Sequence, residues 1–108
     1  NAPAVAWDTN VTATVRLLHV LAQSQTAGTL APRVLIIGSA EQYGRQPNDS
    51  GPIRESAPLA PRTVYAATKV AQEVAALQTW RATGLSVIAV RPFNHSGAGQ
   101  DARFLLPA

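Results

Sequence analysis

The apolar positions of this 108-residue chain fall into four blocks with two kinds of pattern. From Pro3 to Gln25, the residues Val11, Val15, Leu18 and Ala22 recur at i, i+4, i+7 and i+11, the spacing of one helix face. Gly28 is placed to end that helix. The run Arg33-Val34-Leu35-Ile36-Ile37-Gly38 is short, continuously apolar and rich in β-branched side chains. That pattern predicts a strand buried on both faces, as in a parallel sheet. A second helix is predicted from Arg62 to Thr83, with Val70, Val74 and Leu77 on its apolar face and Gly84 at its end. A second buried strand, Leu85-Ser86-Val87-Ile88-Ala89-Val90, follows. Between the first strand and the second helix, the segment 40–61 is broken by Gly44, Pro47, Gly51, Pro52, Pro58 and Pro61. Irregular segments of that length are uncommon in compact domains and tend to be functional.

The order helix, strand, helix, strand is the repeating unit of a doubly wound α/β fold. Two parallel strands satisfy neither their edges nor both of their faces. The expectation is therefore a fragment: residues 1–108 as the C-terminal part of a larger Rossmann-like sheet, with its other strands upstream. The chain lacks an initiator methionine and stops within the apolar run Phe104-Leu105-Leu106, so both ends read as cut. Nothing resembles G-x-G-x-x-G or G-x-x-G-x-x-G between a strand and a helix, so the phosphate-binding turn of a dinucleotide fold is absent.

Composition narrows the picture modestly. Apolar residues make up 46% and charged residues 14%, which suits a core-forming chain. No cysteine is present, so disulfides and thiolate metal sites are excluded. No apolar run of membrane-spanning length occurs, and no signal peptide opens the chain. The net charge of +3 comes from scattered Lys and Arg without an aromatic platform, so no nucleic-acid partner is expected. An anionic small ligand suits that balance equally well.

In open α/β sheets ligands bind beyond the carboxyl ends of the strands. Ser39-Ala40-Glu41-Gln42-Tyr43-Gly44 follows the first strand there, and Phe93-Asn94-His95 follows the second. Between them lies Tyr65-Ala66-Ala67-Thr68-Lys69, whose spacing stacks Tyr65 and Lys69 on one helix face. A tyrosine beside an ammonium can give or take a proton at a carbonyl or carbinol oxygen, and Ser39 can hold the same oxygen. A hydrolase triad of Ser39, His95 and Asp101 is disfavoured, because Ile37 and Glu41 occupy the glycine positions of a nucleophile elbow. His19 reads as a helical histidine, and Trp7 and Trp80 as helix-surface residues.

A strand ending in Ser, a Tyr-Gly four residues on, a Pro-rich loop, Y-x-x-x-K on a helix and a strand ending Arg91-Pro92-Phe93-Asn94 occur in that order. The ensemble resembles the extended short-chain dehydrogenase/reductase family of NAD-dependent epimerases and dehydratases. Gly38 to Gly44 and Arg91 to Gln100 look most like its GDP-4-dehydro-6-deoxymannose reductases and GDP-mannose 4,6-dehydratases. The resemblance implies a Rossmann-like, cytoplasmic oxidoreductase using NADP or NAD on a nucleotide-sugar substrate, homodimeric when intact through its two helices. It implies Ser39 and Tyr65 as catalytic hydroxyls, and Lys69 as the ligand of the nicotinamide ribose. Phe93 and His95 would line the cofactor, and Asn94 would contact the sugar nucleotide. Glu41 matches the base that begins elimination in the dehydratases, or else is a solvated loop carboxylate. The chain departs from the family at Ala13, at Thr63-Val64 and at Ala98, where Gly, Ser-Pro and Pro are usual.

Overall fold

The computed structural model describes residues 2–46, 51–101 and 103. The chain opens with α1 (Pro3–Trp7), passes through a π-helical segment at Asp8–Thr12, and continues as α2 (Ala13–Thr26). Strand β1 (Arg33–Ile37) leads into a 3-10 turn at Ala40–Tyr43. After the irregular segment come α3 (Val64–Thr83) and β2 (Ser86–Val90). The two strands pair in parallel, with Ile36 opposite Ala89 and Ile37 opposite Val90. This is the α/β order that the hydrophobic pattern predicts.

Local chemistry explains the element ends. The Thr63 hydroxyl accepts the Ala66 N–H at 3.0 Å and caps α3, which therefore begins two residues later than Arg62. Gly84 closes it in the left-handed region at φ 75°, donating to the Trp80 carbonyl at 2.8 Å. The 3-10 turn rests on a capping box: the Ser39 side chain accepts the Glu41 N–H, and Gln42 reaches back to the Ser39 N–H. The turn lies within the segment predicted to be irregular throughout, and Pro47 to Ser50 fall outside the described residues.

Helices and sheet meet in one core, built from Leu18 and Ala22 of α2, Ile36 of β1, Ala76 of α3 and Leu85, with Val34, Val87 and Ala89 against them. Three expectations are corrected here. On α2 the covered stripe runs through Thr14, Leu18, Leu21 and Ala22, leaving Val15 46% exposed. The π turn also inserts an extra residue ahead of α2, so Val11 does not keep a 3.6-residue phase with Val15, Leu18 and Ala22. On α3 the fully covered residues are Ala66, Thr68, Glu73 and Ala76, while Val74 is exposed. Small side chains let α3 approach α2 and the sheet closely, and the two polar ones are covered because each has hydrogen-bond partners. Finally, the sheet is apolar on both faces but covered on one: Leu35, Ile37, Ile88 and Val90 point away from the helices and are exposed.

Two glycines separate steric from conformational demand. Gly44 has φ 67° and ψ −151°, and an added Cβ would collide with the Ala60 carbonyl oxygen. Gly84 has a similar φ of 75° but open space around it. Gly84→Ala is expected to cost about 1 kcal/mol in urea unfolding of the full-length protein. Gly44→Ala is expected to cost about 2 kcal/mol or more, because the backbone of residue 60 must also move. Equal costs would remove the steric role given to Gly44.

Candidate functional site

The site lies beyond the carboxyl ends of β1 and β2. The ladder extends one residue past β1, where the Gly38 N–H donates to the Val90 carbonyl at 2.8 Å. The Ala40 N–H then donates to Pro92 at 3.0 Å, so the two exit loops are tied together at their roots. They diverge from there into a cleft with Ser39, Ala40 and Glu41 on one wall and segment 92–100 on the other. Phe93, Asn94 and His95 all line it, and all three are exposed. The His95 Nδ1–H donates to the Phe93 carbonyl at 2.9 Å, which holds the ring beside its own strand exit.

Tyr65 and Lys69 stand in the first turns of α3 and are not part of that cleft wall. Their expected pairing is present: the Lys69 Nζ lies 5.7 Å from the centroid of the Tyr65 ring. The same ammonium donates to the Ile37 carbonyl at 3.0 Å, two residues before Ser39, and to the Gln72 side-chain oxygen at 3.3 Å. Gln72 in turn donates to the Thr14 hydroxyl at 2.8 Å. Lys69 is thus anchored to the end of β1 and, through Gln72, to α2. Partial burial holds its pKa below the usual lysine value. Ser39 uses its oxygen as an acceptor in the capping box, which leaves its O–H to donate elsewhere.

Beneath the cleft lies a polar network that the sequence pattern did not disclose. Arg91, the first residue after β2, grips Glu73 of α3 through Nε at 3.0 Å and Nη2 at 2.9 Å. Its Nη1 donates to the Tyr43 hydroxyl and to the Glu55 carbonyl, each at 3.0 Å. The Glu73 hydrogen bond raises the Arg91 pKa further above its already high value, against the opposing effect of burial. Tyr43 stacks with Phe93 at a centroid distance of 6.1 Å. A second such link is the Asn10 amide, which leaves the π turn to donate to the Thr68 hydroxyl at 3.0 Å. One signal for this network was in the sequence: Glu73 is a lone acidic residue in the otherwise uncharged run from Val70 to Trp80. Among the described residues, no cluster of three or more His, Cys, Asp or Glu side chains can hold a metal ion, and no helix is long and apolar enough to span a membrane.

The residues present fit the nicotinamide end of a dinucleotide. A lysine ammonium has three donors, and those described use two, leaving one for a ribose hydroxyl. The exposed Phe93 ring offers a flat apolar surface on the opposite wall. No phosphate-cradling glycine turn is found in the sequence.

The parallel α/β unit thus sets Lys69, with Tyr65 beside it, against the end of the strand that leads to Ser39. The chain belongs to the NAD dependent epimerase/dehydratase family, whose model matches residues 1–107. It is 36% identical over 104 residues to the GDP-6-deoxy-D-mannose reductase of Pseudomonas aeruginosa, covering 96% of this chain and 33% of that protein. It is 32% identical over 103 residues to the UDP-glucose 4-epimerase of Streptomyces lividans, covering 95% of this chain and 29% of the relative. The structure of RMD from Pseudomonas aeruginosa complexed with NADPH superimposes with a TM-score of 0.83 at 35% identity, over 95% of this chain and 34% of that one. The chain therefore spans about a third of the length of these relatives. The match establishes the Rossmann-like character of the fold and NAD(P) as the cofactor class of the family.

Burial disfavours the charged form of Lys69, so its contribution to stability has a definite sign. With the folded pKa below 10.5, the unfolded chain holds the proton longer as pH rises, and stability from this group grows with pH towards 10.5. Wild-type and Lys69→Met full-length protein, unfolded in urea at about pH 7 and about pH 10, should differ more in favour of wild type at the higher pH. A gap that narrows would contradict the burial of the ammonium.

Proposed function

We propose that the full-length protein reduces a 4-keto-6-deoxy sugar nucleotide, a reaction of the GDP-4-dehydro-6-deoxymannose reductase type. On this reading residues 1–108 are the part of its dinucleotide-binding domain that carries the catalytic groups. The observation that carries the reading is the placement of Lys69, bonded to the end of β1 while its charge faces the Tyr65 ring. The similarity to a GDP-6-deoxy-D-mannose reductase, and to an NADPH-bound structure, supports it.

When bound, the dinucleotide supplies the hydride. The chain's own residues do the rest. Tyr65 delivers a proton to the carbonyl oxygen as it becomes an alkoxide. The Ser39 O–H holds that oxygen, and the cleft side of Asn94 orients the sugar nucleotide. Lys69 donates to the ribose and fixes the phenol from below. Phe93 and His95 flank the nicotinamide. The exposed apolar residues of the two long helices, Val15 and Leu17 on α2 and Val74 and Trp80 on α3, support a homodimer built on those helices.

One observation favours a second reading. Glu41 lines the same cleft wall as Ser39 and is exposed to it, where a carboxylate can remove a proton next to a keto group. That would suit a 4,6-dehydratase, or on the same scaffold a 4-epimerase.

The deciding assay is consumption of NADPH or NADH by the full-length protein with GDP-4-dehydro-6-deoxymannose. Oxidation of either establishes the reductase and names its cofactor. Conversion of GDP-mannose to a 4-keto product instead assigns dehydration. Tyr65→Phe should lower turnover by about a hundredfold or more with substrate binding retained, and near-normal turnover would sink the reading. Glu41→Gln should leave reduction nearly unchanged, whereas a comparable loss in that variant favours elimination chemistry.

A further inference from the structure

The placement of Ser39 depends on a residue that never reaches the cleft. The Gln42 side chain is fully buried, its oxygen accepting the Ser39 N–H at 2.8 Å and its nitrogen donating to Glu73 Oε2 at 3.2 Å. An amide has one accepting end and one donating end, whereas a carboxylate only accepts. The charge on Glu73 therefore fixes which way the amide lies. Its NH2 must face α3, and its oxygen is then left facing Ser39. Glu73 is itself 5% exposed and is held in two hydrogen bonds by Arg91. The space is shaped for this side chain, because a Cβ at Gly38 would collide with the Gln42 amide oxygen.

We infer that Gln42 and Glu73 are positioning residues for the reaction, a buried polar relay that sets the Ser39 backbone and through Arg91, Tyr43 and Phe93 also sets the facing wall. The inference rests on the role proposed above for Ser39. Both cleft walls are reached from the one carboxylate: Gln42 leads to Ser39, and Arg91 leads through Tyr43 to the stacked Phe93 ring. An amide in place of Glu73 sets an NH2 group against the Arg91 or Gln42 donors, so Gln42 must shift and its hold on the Ser39 N–H is weakened. The Ser39 hydroxyl then shifts relative to the substrate oxygen, and displacements of that kind act on the chemical step rather than on binding.

The test uses the full-length protein with Gln42→Met, Glu73→Gln and the double variant, each checked for cooperative melting. Both single variants should lose about tenfold or more in kcat, with KM for sugar nucleotide and cofactor within about threefold of wild type. The double variant should lose little more than either single one, because both break the same relay. Wild-type kcat in a folded single variant, or losses that multiply in the double, would overturn the inference. If neither single variant folds, Arg91→Lys decides, since it keeps the charge but not the two-pronged grip. A tenfold fall in kcat supports the relay and an unchanged kcat refutes it. Tyr65→Phe is assayed alongside. If that variant keeps turnover, the proposed reaction fails. If it is inactive while Gln42→Met turns over normally, the relay alone fails.

Discussion

The ion pair between Glu73 and Arg91 is the constraint on which the carboxyl edge of the sheet depends. A carboxylate taken out of water is costly unless matched by an opposite charge and by enough hydrogen bonds to fill its lone pairs. Here both conditions are met: two bonds from the guanidinium and one from Gln42 reach the Glu73 oxygens, and no described side-chain polar atom is buried without a partner. Breaking such a pair by removing one member typically costs about 3–5 kcal/mol, because the other is left buried and unmatched. The pair joins four parts of the chain: α3, the exit of β2, the 3-10 turn and the segment around Glu55. Apolar contact at that edge comes from Tyr43, which is buried and stacks on Phe93.

Away from the edge the balance reverses. The core is small and aliphatic, and α3 enters it through alanines rather than through its larger side chains. The opposite face of the sheet keeps Leu35, Ile37, Ile88 and Val90 exposed, an arrangement that parallel sheets avoid when helices cover both sides. The chain spans about a third of its relatives' length, and among the described residues its sheet has two strands.

The elements were legible because hydrophobic period and capping chemistry act locally. The position of Ser39 after a strand and the stacking of Tyr65 with Lys69 on one helix face were legible for the same reason, since a strand end and a four-residue helical spacing are properties of neighbours in sequence. What stayed hidden was set by distant partners. Gln42 and Glu73 are 31 residues apart, and Glu73 and Arg91 are 18 apart, so neither pairing leaves a periodic trace. Reading Val74 as core follows hydropathy. The structure exposes Val74 and buries its neighbour Glu73, because hydrogen bonding can cover a charge that hydropathy would expose. The π turn at Asp8–Thr12 is similarly silent in the sequence, and it changes the phase of Val11 relative to the covered residues of α2.

The division between exposed and buried groups has a chemical logic. The groups proposed to meet substrate and cofactor are accessible, with Tyr65 46% and Phe93 55% exposed. The groups that hold them are closed off, with Gln42 and Thr68 fully buried. A reacting hydroxyl must reach solvent-borne ligands, so it cannot draw its orientation from its own burial. It must take orientation from a neighbour whose geometry water does not disturb. Inside a low-dielectric shell each hydrogen bond is stronger and its polarity is fixed by the next charge along. Glu73 supplies that charge from within α3, the same helix that presents Tyr65 and Lys69. One helix thus carries both Tyr65 and Lys69, the pair proposed to serve proton transfer, and the carboxylate that anchors the Ser39 turn.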